Sequence, residues 1–212
     1  MANPDLFRLR VTFAKTGRCA MLSHLEIARA LERAVRRAGL PYAISQGFSP
    51  HMKIAFGSAL PVGVGGTEER FDVQLTRWVD PDEALAALAR ASVVDLMPSA
   101  CAYIGPKEPA ASVAFPVADY EAVFSRPLGV LELPETVTVV RKKKEKVLTV
   151  TDYVVSAPAQ EPLPAGEGAR VVFTLRSRDT GSLRPDLVVQ ELLRANPGTE
   201  LQTITRTAQR AR

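Results

Sequence analysis

Residues 6–41, LFRLRVTFAKTGRCAMLSHLEIARALERAVRRAGLP, contain the two patterns that decide the fold of the first half of the chain. The first pattern covers residues 6–15, where apolar and polar side chains alternate. This alternation places Leu9, Val11 and Phe13 on one face of an extended chain, which is typical of a half-buried β-strand. We therefore predict that the domain begins with a strand.

The second pattern is a helix start. Ser23-His24-Leu25-Glu26 has the form of a capping box, in which each outer side chain binds the backbone amide of the other outer residue. It predicts a helix over residues 24–38, and Gly39 is typical of the residue that ends a helix. Arginines recur at spacings of three and four along this helix and therefore share one flank: Arg29, Arg33, Arg36 and Arg37.

The same two periodicities continue to residue 104. They predict extended segments at 42–44 and 53–59, a strand at 70–75, a second helix that opens at Asp80, and a strand over 93–104. The resulting order βαββαβ is that of the ferredoxin-like arrangement. We therefore predict an α+β protein, with a ferredoxin-like domain over residues 1–106 and a second, smaller α+β module over residues 113–212.

The second module is predicted from weaker signals. Proline and glycine indicate a linker over residues 105–112 and an exposed loop over residues 157–168. Residues 141–146, RKKKEK, are predicted to form a basic, solvated hairpin tip. A last strand is predicted over residues 201–205, followed by a basic tail that continues to residue 212. No sequence repeat relates the two halves.

Composition excludes several classes of protein. The chain has 212 residues, of which 46% are hydrophobic and 24% charged, as in ordinary globular domains. An apolar run long enough for a membrane span or a signal peptide is missing, so we expect a cytoplasmic protein without a membrane partner. Two cysteines and two histidines are too few for an iron–sulfur centre or a structural zinc site, so we expect no metal and no cofactor in this chain.

The remaining reactive groups give weaker expectations. Cys19 and Cys101 form no CxxC motif and are expected to be inert thiols. The acidic side chains of Glu68, Glu69 and Asp72 are expected to be exposed rather than to bind a metal.

Charge is unevenly distributed along the chain. The formal net charge is +4, but residues 8–53 contain nine basic and two acidic side chains, a balance of +7. Residues 67–95 contain three basic and seven acidic side chains, a balance of −4. Such segregation produces a one-sided electrostatic field, which favours a polyanionic partner.

The candidate site combines the helix start with the segment that follows the helix. Gly47 allows a close backbone approach, Phe48 offers a stacking face, and Lys53 supplies a fixed charge. Each feature has an alternative: Phe48 as core, His24 as a backbone partner only, and the arginines as a solvated flank. The candidate ligand-binding residues are Ser23, His24, Arg29, Arg33, Arg36, Arg37, Gln46, Gly47, Phe48, Ser49, His51 and Lys53.

Four segments together resemble one protein family. They are SHLE, RAVRRAGLP, SQGFSPHMKIAFGSALPVG and EERFDV, in that order. The chain resembles the radical-SAM-associated (radical-SAM-linked) proteins, bacterial proteins with a domain of unknown function. The family usually has Asp at the position of Glu26 and Pro at that of Met52. The resemblance implies a radical SAM protein as partner, either a separate chain or a fusion, which would supply the cysteines that this chain lacks.

Three functions remain open from the sequence. The first is a non-catalytic accessory protein that presents a polyanion, expected to be RNA, to a radical SAM enzyme. The second is a metal-independent ribonuclease in which His24 or His51 abstracts a proton while Lys53 and the arginines stabilise developing charge. The βαββαβ order is also similar to that of CRISPR repeat endonucleases, at the level of the fold alone. The third is a structural subunit that touches no substrate.

Overall fold

The computed structural model describes residues 6–141, 144–163, 168–179 and 181–211. The chain divides into two compact units, Met1–Phe115 and Pro116–Arg212. Both contain helices together with antiparallel strands, so the predicted α+β class is confirmed.

The first unit contains the predicted order of elements. They are β1 (Phe7–Lys15), α1 (His24–Arg37), β2 (Ile54–Phe56), β3 (Val64–Leu75), α2 (Pro81–Ala91), β4 (Pro98–Ile104) and the short α3 (Ala111–Ala114). The sheet has the order β4-β1-β3-β2 and every neighbouring pair is antiparallel. This is the ferredoxin-like arrangement, in which each helix links two strands that enclose a third.

Local signals explain why these helices begin where they do. The Ser23 amide donates to Glu26 Oε2 at 2.8 Å, and the Ser23 hydroxyl accepts from the Glu26 amide, which completes the predicted capping box. Asp80 caps α2 by accepting from the amides of Asp82 and Glu83. Leu9, Val11, Phe13 and their neighbours from α1, α2 and β3 form the core of the unit.

The segment after β4 is packed against the face of the sheet opposite the core helices α1 and α2. Arg8 donates to the Glu108 carbonyl at 2.6 Å and Arg10 to the Pro109 carbonyl at 2.9 Å. Both Arg10 and Arg70 place a guanidinium over the Phe115 ring. The prediction of a plain linker over residues 105–112 is therefore wrong, because arginines on the sheet bind this segment and composition alone does not reveal that.

The second unit contains β5 (Val117–Phe124), a hairpin of β6 (Thr136–Arg141) and β7 (Lys144–Thr149), β8 (Val154–Pro162), β9 (Ala169–Arg178), β10 (Gly181–Ser182), α4 (Pro185–Ala195) and β11 (Leu201–Arg210). Its sheet has the order β8-β9-β5-β11, with β10 also paired to β9. When the strands β5, β8, β9 and β11 are counted as first to fourth along the chain, their order in the sheet matches the order β2-β3-β1-β4 of the first unit. Along the chain, the hairpin β6–β7 lies between β5 and β8, which is the position that α1 has between β1 and β2.

Two predictions in this unit are corrected. The first half of the predicted loop at 157–168 belongs to β8, which pairs with β9 although it contains two prolines. The predicted basic tail is the second half of β11: Arg206 is buried, and Arg210 binds Asp119 at 2.6 Å. Arg212 lies outside the described residues. So do Lys142 and Lys143, at the predicted hairpin tip.

Candidate functional site

The arginine row of α1, defined as Arg29, Arg33, Arg36 and Arg37, faces solvent. All four residues are exposed, while the buried residues of the helix, including Ile27 and Leu31, lie on its other side. Arg36 makes a loose ion pair with Glu32 at 3.7 Å, and Arg37 donates to the Ala91 carbonyl at the end of α2. Among the described residues, Arg29 and Arg33 have neither a hydrogen bond nor an ion pair.

The motif loop, defined as residues 46–53, has a fixed base. Ile44 and Met52 form an antiparallel bridge, and the Ser45 amide donates to the His51 carbonyl at 2.8 Å. The Lys53 amide donates to the Ala43 carbonyl, also at 2.8 Å. Because Met52 is buried in the core, the loop is attached to the sheet by packing as well as by hydrogen bonds.

His51 is oriented by the loop itself. Its amide donates to the Ser45 hydroxyl at 3.1 Å, and its ring Nδ1 lies 3.0 Å from that hydroxyl and 3.1 Å from the Ser49 carbonyl. A carbonyl oxygen only accepts, so this geometry assigns the ring proton to Nδ1. Nε2 is then the ring atom that remains available to a ligand.

Phe48 occupies the tip of the motif loop and is fully exposed, at 110% of the reference accessibility. The preceding residue, Gly47, has φ of +127°, a conformation that favours glycine and turns the chain at this point. Of the two interpretations left open by the sequence, burial of Phe48 in the core is therefore excluded. The exposed ring is available for stacking.

His24 lies elsewhere, at the first position of α1. Its ring meets the Phe56 ring edge-on, with 5.6 Å between the centroids. Both line a small pocket of about 30 Å³, which is room for a water molecule rather than for a nucleotide. The other lining residues are Phe13, Lys15, Ile27, Gly57, Ser58, Ala59, Leu60, Glu69 and Arg70.

Two charged residues of this pocket escaped the sequence prediction. Lys15 and Glu69 are 3% and 6% exposed, and Lys15 Nζ donates to the Val64 carbonyl at 3.0 Å. Gly66 makes room for Glu69, because a Cβ there would overlap the carboxylate. The alternation of β1 and β3 could have revealed both, since Lys15 and Glu69 continue the core-facing series of their strands.

Asp72 is also buried, so the expectation of exposed acids is wrong for Glu69 and Asp72. Arg8 and Arg10 each bind the Asp72 carboxylate at 2.7 Å, and the Ala111 amide donates to it at 3.2 Å. Burial alone would raise the pKa of Asp72, but the hydrogen bonds from the two arginines outweigh it and hold that pKa below its usual range.

The described residues contain no group of three or more side chains suited to a metal ion.

The predicted site residues do not share one pocket. Of the predicted set, His24 lines the pocket, while the ring of His51 contacts Ser49 in the motif loop and Ser45 beside it. Arg37 reaches α2, which packs beside β4, whereas the motif loop adjoins β2 at the opposite edge of the sheet. The arrangement therefore offers an exposed aromatic loop, a cationic helix flank and a small polar pocket.

We predict that the two cysteines are unreactive in the folded protein. Burial raises the pKa of Cys101 to about 11, and burial and Asp95 raise that of Cys19. The thiolate is the nucleophile, so at about pH 8 iodoacetamide should modify neither residue within minutes. The same reagent in urea should modify both, as mass spectrometry would show. Rapid alkylation of Cys101 in the native protein would contradict the assignment.

Comparison with known proteins places the chain in a family without assigning it an activity. Within the described part of the chain, no helix has the length and apolar character needed to cross a membrane. No curated protein matches the chain. The model of one family, described as uncharacterized proteins conserved in bacteria (DUF2344), matches residues 8–185. That match spans most of both units, and the chain therefore belongs to this bacterial family of uncharacterized proteins.

Proposed function

We propose that this protein is a non-catalytic accessory protein that binds RNA, or another polyanion, for a radical SAM enzyme. The observation that carries the proposal is the arginine row of α1. Arg29 and Arg33 are exposed and, within the described residues, make no hydrogen bond or ion pair, although Arg29 lies near enough to Glu26 to help lower the pKa of that carboxyl. Guanidinium groups bind phosphates in a two-pronged geometry, and a row along a helix can follow a backbone of regularly spaced charges.

The surrounding sequence supports an anionic partner. Residues 33–67 contain no Asp or Glu, so the end of α1, the motif loop and β2 add no local repulsion to a phosphate backbone. The same stretch supplies Lys53 and the ring of His51. This distribution favours binding of a polyanion over binding of an acid-poor or cationic partner.

The radical SAM partner rests on the family resemblance. This chain has two cysteines, fewer than an iron–sulfur cluster needs, so a cluster would have to be held by the partner. We accordingly propose no cofactor in this chain. Co-expression of the chain with a radical SAM protein encoded beside it, followed by size-exclusion chromatography, tests the partnership. Separate elution of the two proteins would contradict it.

The double variant R29Q/R33Q tests the polyanion proposal. Removing two phosphate contacts should weaken binding to a labelled single-stranded RNA by about tenfold and lower the slope of log affinity against log salt by about 1.4. Fluorescence anisotropy at several salt concentrations measures both quantities.

The matched control is R178Q/R184Q, which removes the same charge. Those arginines are paired locally, Arg178 with Asp152 and Arg184 with Asp186. The control should bind as the unmodified protein does. Binding that is absent, or that does not change with salt, would contradict the proposal, as would an equal loss in the two double variants.

A metal-independent ribonuclease is the second candidate, and the open Nε2 of His51 favours it. A neutral imidazole with its proton fixed on Nδ1 is the form that a general base requires. The discriminating measurement is cleavage of a labelled RNA by the unmodified protein and by H51A and H24A. The accessory function predicts no cleavage by any of the three. Cleavage that H51A abolishes would establish the enzyme instead.

A further inference from the structure

We infer that the polyanion is a single-stranded RNA, and that the motif loop receives one of its unstacked bases on the ring of Phe48. This inference rests on the proposed function and names the form of the substrate. It starts from the exposure of Phe48, since the hydrophobic effect opposes leaving a whole aromatic side chain in water.

The loop holds this ring out rather than leaving it there by chance. The bridge between Ile44 and Met52 and the hydrogen bonds between Ser45 and His51 fix both sides of the loop. Gly47 turns the chain at its tip. Because the backbone is already fixed at the base of the loop, ordering the loop costs less conformational entropy when a partner stacks on the ring, as in a binding platform.

The surroundings of the ring favour a nucleobase over an apolar groove of a protein. Among the exposed neighbours of Phe48 within the loop, Gln46, Ser49 and His51 are polar and Pro50 alone is apolar. An amide, a hydroxyl and an imidazole Nε2 can each bond to the edge of a base whose face lies on the ring. Anchors of protein interfaces, by contrast, are enclosed by further apolar side chains.

The same geometry excludes a base-paired target. Within a duplex the faces of the internal bases are covered by their neighbours, and an aromatic ring cannot stack on them without unpairing the strand, so that at most the two terminal pairs offer a face. In a single strand the faces are open, and stacking on aromatic side chains tolerates any base. The loop therefore favours single-stranded over base-paired RNA. The arginine row attracts a phosphate backbone of either form.

The test compares F48A and F48W with the unmodified protein on three labelled probes. The probes are an unstructured RNA of about 15 nucleotides, an abasic strand with the same phosphates, and a blunt RNA duplex of that length. F48A should weaken binding of the unstructured RNA by about tenfold and leave the other two affinities unchanged. F48W should retain binding. The fluorescence of its added tryptophan should be quenched by the unstructured RNA and by neither of the other two probes. A thermal melt confirms that both variants fold.

The outcomes separate this inference from the function on which it rests. Binding by the unmodified protein that F48A leaves intact, or weakens equally on all three probes, overturns the role of Phe48 while the polyanion proposal stands. A failure of the unmodified protein to bind any probe overturns the proposed function itself. If F48A instead abolishes association with the radical SAM protein and leaves RNA binding unchanged, the ring is a protein anchor and the inference is wrong.

Discussion

Replacement of Asp72 by asparagine is expected to lower the free energy of unfolding by about 3–5 kcal/mol. The side chain of Asp72 is 2% exposed, and those of Arg8 and Arg10 are 15% and 12% exposed. The carboxylate is the shared counter-charge of the two guanidinium groups, and it also accepts the Ala111 amide. Asparagine is neutral, so it would leave two desolvated cations without compensation. Urea denaturation followed by circular dichroism measures the change.

The matched control is Asp152→Asn. Asp152 also pairs with an arginine, Arg178, but their side chains are 52% and 46% exposed. Solvent screens such a pair, and its loss should cost less than about 1 kcal/mol. Equal destabilisation by the two substitutions would show that the pairing of Asp72 with Arg8 and Arg10 does not hold the first unit together.

The pH dependence of the Asp72 effect follows from the sign of its pKa shift. The pKa of Asp72 in the folded chain lies below that of the unfolded chain, where the carboxyl has its ordinary value near 3.9, because the hydrogen bonds from Arg10 and Arg8 outweigh burial. Its contribution to stability is therefore complete above about pH 4 and is lost as the pH falls through the folded pKa. The difference in stability between the unmodified protein and D72N should be constant from neutral pH to about pH 5, and should shrink below about pH 4.

The second large effect is expected for Asn196→Ala, which should cost about 3 kcal/mol. Asn196 ends α4 and its amide group makes four hydrogen bonds. Oδ1 accepts from the amides of Gly129 and Val130 at 2.8 and 3.0 Å, while Nδ2 donates to the carbonyls of Val130 and Leu192 at 2.7 and 2.8 Å. Alanine removes all four, which leaves the buried Leu192 carbonyl and three part-buried backbone groups of Gly129 and Val130 without this partner. The measurement is again urea denaturation.

The control for Asn196 is Gln202→Ala, which truncates an exposed amide side chain of the same unit. That change should alter stability by no more than about 0.5 kcal/mol. If N196A is as mild as Q202A, the segment that contains Gly129 and Val130 is held by other contacts, and the four hydrogen bonds are not the cause of its order.

Much of the first unit was predictable because its signals are local. The alternation of β1 depends on neighbouring residues alone, and the capping box at Ser23 and Glu26 is complete within four residues. In the second unit the signals are weaker. The second half of β11 is rich in arginine and threonine and resembles a tail until Asp119 and the strand β5 are placed beside it.

The candidate site divides in the same way. The sequence identified the motif loop and the arginine row, because glycine, proline and cation spacing are visible in the chain itself. It missed Lys15 and took Glu69 and Asp72 for surface acids, because burial of a charge depends on distant partners, such as Val64 for Lys15.

What the sequence by itself determined is the order of elements in the first unit, the start of each of its two main helices and the residues from which a binding surface could be built. Tertiary structure alone decided that Phe48 projects into solvent, that Arg8 and Arg10 enclose Asp72, and that both units share one strand order without a shared sequence. The physical reason is that local pattern sets the type of an element through backbone geometry. Exposure and pairing are set by which distant strands come to lie side by side.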